Sequence, residues 1–179
     1  MADYYGTIAG ADAYNAARGN TAWAELTEAQ KIAALIAGSA YVDMMAGLPI
    51  PSRPGCRWSY RGTRSGGINQ VLMWPRDGST DVDGTPIPDG VVPEAIIQAA
   101  YAAAAYAGAD PSVLQPPVTG SSLVSMEKVD VLQVQYAVKA SDGSIDPLAN
   151  VPILPGVLAI LGSLLIARCP RYGLGIRAA

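Results

Sequence analysis

Pro93-Glu94-Ala95-Ile96-Ile97-Gln98-Ala99-Ala100-Tyr101-Ala102-Ala103-Ala104-Ala105-Tyr106-Ala107 reads as a helix with almost no polar face. A surface helix keeps a charged stripe toward water, and one that is apolar all round is buried all round. Past Glu94 and Gln98 only two tyrosine hydroxyls offer a wet side here, and Pro93 suits a first helical turn. A second such segment, Leu154 to Ala167, offers only Ser163 and a few glycines. Two helices of this kind are hard to cover within 179 residues. Part of their surface is therefore expected to meet other subunits, through Ala99, Ala102, Ala103 and Tyr106 on the first and Leu158, Leu161 and Leu165 on the second.

Working back toward the N-terminus, Thr7 is placed to cap a short helix over about residues 8–18 that stops at Gly19-Asn20. Trp23 falls in the link that follows. Thr27-Glu28-Ala29-Gln30 has the capping-box pattern and should open a helix reaching about Met45. Ile32, Leu35, Ile36, Val42 and Met45 recur on one face at helical spacing and form the expected subunit core. Toward the C-terminus, residues 109–122 are a Pro/Ser/Gly linker and 123–138 are the best strand region. There Leu132, Val134, Tyr136 and Val138 alternate with Gln133, Gln135 and Ala137, and with Leu123–Glu127 a hairpin turning near Lys128–Val131 is expected. Arg168, Arg171 and Arg177 follow the last apolar segment, with Arg168 suited to the end of a helix.

Composition narrows function. The chain is 50% hydrophobic and 15% charged with a net charge of −3, so it is neither disordered nor a globally basic nucleic-acid binder. Histidine is absent, which removes the commonest general base and the commonest metal ligand. Cys56 and Cys169 lie far apart without metal-ligand or C-x-x-C spacing, and reduced thiols in a cytoplasmic setting are expected, with a disulfide as the alternative. No signal peptide is visible at the start, and the run Val157–Ala167 is too short to span a bilayer, so no membrane partner is expected. Ser79-Thr80-Asp81-Val82-Asp83-Gly84 faintly matches a calcium loop but puts Gly90 where a bidentate glutamate is needed, so a tight turn is the stronger reading. Neither a carboxylate couple nor a serine–lysine site stands out, and Gly62-Thr63-Arg64-Ser65-Gly66-Gly67 lacks the ending of a phosphate loop. No enzymatic activity, cofactor or metal is expected.

One polar feature carries functional promise. Prolines and glycines over 47–70 exclude a long regular element, and Arg53, Arg57, Arg61 and Arg64 crowd that stretch beside Trp58 and Tyr60 with no acid among them. Guanidinium groups on a loop can track a phosphate backbone while Trp58 or Tyr60 stacks on a base. Taken alone, the arginines are expected to pair with acids of a neighbouring subunit or to lie solvated. Several such loops facing one channel would make a strong local field.

Thr7-Ile8-Ala9-Gly10-Ala11-Asp12-Ala13-Tyr14-Asn15-Ala16-Ala17-Arg18-Gly19-Asn20, with Trp23 and Thr27-Glu28-Ala29-Gln30-Lys31, resembles the opening of a tailed-phage family labelled DnaT-like single-stranded-DNA-binding protein. Trp74-Pro75-Arg76 with Gly78 and Asp83-Gly84, then Val91-Val92-Pro93-Glu94, resemble its middle signatures, and Ser125 to Tyr136 its late hairpin. The chain departs from the family at Asp130-Val131, where a Gly-Pro turn is common, and in a longer 49–67 insertion. Proteins of this kind resemble the head-to-tail connector adaptors of long-tailed phages. That resemblance implies a mainly α fold with a small β-hairpin component: a single domain over 1–179, with a helical-bundle body, a projecting loop at about 49–70 and a C-terminal arm at about 150–179. It implies a homo-oligomeric ring, commonly a dodecamer, at the virion neck and assembled in the host cytoplasm. The portal protein and a tail-side neck or tail-terminator protein would be its partners, and double-stranded DNA would pass through the lumen without sequence specificity, with Arg53, Arg57, Trp58, Arg61 and Arg64 facing the lumen or the nucleic acid. The alternative expectation is a replication accessory that binds single-stranded DNA.

Overall fold

The computed structural model describes residues 4–50, 52–114, 126–129, 132–135 and 151–170. Among the described residues run the helices α1 (Ile8–Ala16), α2 (Thr21–Ala24), α3 (Glu28–Met45), α4 (Glu94–Ala109) and α5 (Pro155–Leu161). The strands are β1 (Arg57–Ser59), β2 (Thr63–Arg64), β3 (Arg76–Asp77), β4 (Met126–Val129), β5 (Leu132–Gln135) and β6 (Ile166–Arg168). They pair in twos, all antiparallel: β1 with β6, β2 with β3, β4 with β5. The fold is thus mainly helical with small β ribbons.

Local chemistry sets the helix starts. The Thr7 hydroxyl accepts the Gly10 N–H at the head of α1. At α3, Thr27 accepts the Gln30 N–H while the Gln30 side chain accepts the Thr27 N–H, the reciprocal box read from the sequence. The link between them holds the short α2, capped by Asn20. It buries Trp23, whose indole N–H donates to Asp12 at 2.7 Å, and the Lys31 ammonium lies 2.8 Å from the same oxygen.

The core is organised on α4, which packs against α1, α2, α3 and α5. Ile96, Ala99, Ala100, Ala103, Ala104 and Ala107 face inward and are buried. Gly38 on α3 lets the two main helices close up: a Cβ there would lie 2.6 Å from the Ala100 carbonyl oxygen and 2.7 Å from the Ala104 nitrogen. The alanines thus make a close helix approach within one copy. Glu94, Gln98, Ala102, Ala105 and Tyr106 form the outer stripe, with Tyr106 half exposed.

Several expectations change here. Ala99, Ala103, Leu161 and Leu165 belong to the subunit's own core, which removes the ground for expecting an interface at them. Ala102 and Leu158 are partly buried and Tyr106 is exposed. The surplus of apolar surface was overestimated because alanine is slim: a helix of alanines needs little covering. On α3, Leu35, Val42 and Met45 are buried as expected, but Ile36 is exposed and Ile32 only partly buried. Their places in the core are taken by Ala34, Gly38, Ser39 and Tyr41, small or hydrogen-bonded groups that a search for large aliphatics passes over.

The last helix is also shorter than expected. It ends at Leu161, Leu164 and Leu165 turn into the core, and Ile166–Arg168 run extended against β1. The Tyr41 hydroxyl fastens this segment by donating to the Pro152 carbonyl and accepting the Leu154 N–H. Within the stretch over 49–70, Tyr60 is buried and its hydroxyl donates to the Val42 carbonyl, while residues 52–55 and 62–69 are exposed. Residues 115–122 of the expected linker, residues 123–125 of the strand region, the turn of the β4–β5 hairpin, Tyr136, Val138 and the tail beyond residue 170 lie outside the described residues. No helix among the described residues is long and apolar enough to cross a membrane.

Candidate functional site

The ribbon of β1 and β6 pairs Arg57 with Arg168, Trp58 with Ala167 and Ser59 with Ile166. Next to it a disulfide joins Cys56 and Cys169 across a sequence separation of 113. This corrects the expectation of reduced thiols: strand pairing brings two cysteines together that nothing in their spacing connects. The second ribbon, β2 with β3, pairs Arg64 with Arg76. Both ribbons therefore set arginine directly opposite arginine, an arrangement that costs stability when nothing anionic lies between.

All four of these arginines line one open cleft of about 690 Å³. Trp58, Tyr60, Met73, Gly47, Gly62 and Pro170 share the lining, and no aspartate or glutamate belongs to it among the described residues. One acid outside the lining interacts with its arginines. Asp43 on α3 accepts the Tyr5 hydroxyl proton and the Met73 N–H, the latter at 2.8 Å, and the Tyr5 oxygen accepts the Trp74 N–H at 3.0 Å. Burial raises the Asp43 carboxyl above its ordinary value, against the pull of these hydrogen bonds and of Arg64 and Arg76. Arg76 is pushed below its ordinary value by burial first and by the Arg64 guanidinium second, so the cross-strand repulsion is felt within the protein.

The arginines are held in place by backbone carbonyls. Arg57 donates to Gly47 and Arg64 to Gln70, while Arg76 donates to Arg61, Met73 and Gly62. A guanidinium carries five N–H donors in a planar fork, so a group fixed through one to three of them still presents charge and donors to a ligand. Within the chain, then, backbone carbonyls anchor Arg57, Arg64 and Arg76 at the cleft.

Of the residues expected at the site, Arg57, Trp58 and Arg64 are brought together in the cleft. Arg53 is exposed outside the lining, and Arg61 turns away to donate to the Thr80 hydroxyl and the Asp81 carbonyl at 2.8 Å each. Tyr60 is spent on Val42 and sits edge-on to Trp74, so its ring is not free to stack on a base. Arg76 and Arg168 were missed. Arg168 suits a helix end in the sequence and Arg76 stands apart from the 47–70 arginines, and only the ladder registers put them opposite Arg57 and Arg64. The 79–84 segment is a turn, with the Asp81 carboxylate accepting the Thr85 N–H at 2.7 Å and Gly84 at φ +89°.

What the fold and cleft define is a small helical protein carrying an acid-free basic groove, chemistry suited to holding anionic groups. Over residues 1–178 the chain matches the family described as "Putative DnaT-like ssDNA binding protein", and it belongs to that family. No curated protein and no solved structure matches it. The family match corrects the expectation of a head-to-tail adaptor ring at the virion neck, with its portal and tail-side partners and lumenal duplex: the description points to single-stranded DNA, the alternative reading. The adaptor reading leaned on apolar helices left uncovered by one copy, and α4 proves to be covered by its own chain.

Proposed function

We propose that this protein binds single-stranded DNA, with phosphates held along the cleft by Arg57, Arg64, Arg76 and Arg168. The observation that carries the reading is the pair of cross-strand arginine couples facing one acid-free groove in a chain whose net charge is −3. Repulsion of Arg76 by Arg64 across the β2–β3 ladder is relieved when phosphates lie along the groove, each meeting a guanidinium. The family description supports the same class of ligand. Trp58 and Met73 supply apolar lining on which a base can rest, so phosphate contacts position the strand without a code for its sequence. The proposed role is binding alone, without a catalytic step.

The test is fluorescence anisotropy with short mixed-sequence oligonucleotides, single-stranded and duplex, on the wild type and on an Arg64→Ala/Arg168→Ala variant. Both side chains are exposed, so the fold should tolerate the change. The wild type should bind the single strand and the variant should bind it at least tenfold more weakly, on the order expected for losing two phosphate contacts. Equal affinity of the two proteins would place DNA binding elsewhere or nowhere.

A further inference from the structure

Beside the cleft stands a loop, residues 66–71, whose construction is at odds with its contents. Ile68 is 92% exposed and Val71 is 74% exposed, the highest values among the large hydrophobic residues described. Single exposed aliphatics are ordinary. This pair is unusual in the framework that holds it out. Gln70 between them is buried, accepts the Gly66 N–H at 2.7 Å, and donates from one amide nitrogen to the Leu72 carbonyl at 2.8 Å and the Pro75 carbonyl at 2.9 Å. A 3-10 turn over Gly67–Asn69 completes the tip, with Gly67 at φ +58°. The Gln70 carbonyl in turn accepts from Arg64, which lines the cleft. The apolar tip and the basic groove are thus one hydrogen-bonded unit.

We propose that Ile68 and Val71 form an aliphatic wedge that packs against the bases of the strand whose phosphates lie in the cleft. This rests on the single-stranded-DNA reading and adds to it a second, base-contacting surface. Continuity through Arg64 argues for the occupant: a chain with phosphates at the guanidinium must place its bases within reach of the loop that the same guanidinium holds. Aliphatic side chains placed against bases contribute by displacing water from apolar surface, and on a single strand the accompanying cost of unstacking includes no base pair to open.

The test compares a normal oligonucleotide with an abasic one of equal length, which keeps the phosphates and removes the bases. It uses the wild type and an Ile68→Ser/Val71→Ser variant, whose changes lie in solvent. The wild type should prefer the normal strand by about fivefold or more, the low end for base contacts. The variant should lose most of that preference, keeping only the part that Trp58 and Met73 supply, with an unchanged salt dependence. If the wild type binds but the variant keeps the full preference for bases, the wedge is refuted and the cleft reading stands. If instead the variant binds DNA normally but loses a concentration-dependent association seen by sedimentation, the tip contacts a second copy and the proposal is again refuted. If the wild type binds neither strand, the cleft reading and the wedge fall together.

Discussion

Gly38 shows how much depends on one missing side chain. A methyl group there would meet backbone atoms of α4, which cannot rotate away as a flexible side chain could. Gly38→Ala gains up to about 1 kcal/mol in helix propensity but overpacks the junction of the two main helices at roughly 1–3 kcal/mol. A net loss of about 1–2 kcal/mol is expected in urea unfolding, and a stabilised variant would contradict the close approach. Asp43 offers a test of sign. Its carboxyl is raised by burial, so over the window above the ordinary aspartate value the folded state holds more protons than the unfolded one. Its contribution to stability is then fully present below the unfolded pKa and lost as pH rises through the folded pKa. The stability difference between the wild type and Asp43→Asn should shrink from acid toward neutral pH. Growth of that difference with pH would mean that Arg64 and Arg76 dominate over burial at this group. Asp12 has the opposite sign: hydrogen bonds from Lys31 and Trp23 hold it below its ordinary value, so its contribution is lost as pH falls. Neither carboxylate could be singled out in the sequence, because each is defined by partners from other segments.

At the scale of elements, what was readable follows from range. The cap at Thr7, the box at Thr27–Gln30 and the apolar α4 are signals contained within a few turns, and all three hold. The boundary of α5 was misread because Leu164 and Leu165 suit a helix as well as a buried turn, and the strand that follows exists only through its partner β1. The cleft shares that fate. Half its arginines come from a stretch recognised for its charge, and the other half from β3 and β6, whose register is a long-range fact. The β1–β6 ribbon is only three residue pairs long, so the adjoining disulfide should contribute much of what holds the C-terminal segment. Closing a loop with a sequence separation of 113 removes entropy from the unfolded chain worth about 4–5 kcal/mol in the loop-closure account. Cys56→Ser/Cys169→Ser, or the wild type with the bond reduced, should melt at a clearly lower temperature in calorimetry. An unchanged melting temperature would mean that α5 and Tyr41 hold the segment alone.

For the whole molecule, charge is separated rather than abundant. A chain of net charge −3 gathers four arginines about one groove, anchors three of them on backbone carbonyls, and places no acid in the lining among the described residues. Such a groove attracts a polyanion locally while the rest of the surface repels it, so binding should be both salt-sensitive and confined to one site. The subunit contacts expected from the alanine-rich helix lose part of their ground at this same scale, since Ala99 and Ala103 are sheltered by the chain's own core. The most direct measurement is the salt dependence of single-stranded-DNA affinity. Each phosphate neutralised contributes about −0.7 to the slope of log K against log salt, so full engagement of the groove should give a slope near −3. The Arg64→Ala/Arg168→Ala variant should give roughly half that slope. A flat dependence in the wild type, or the same slope in both proteins, would contradict the assignment of phosphate binding to this cleft.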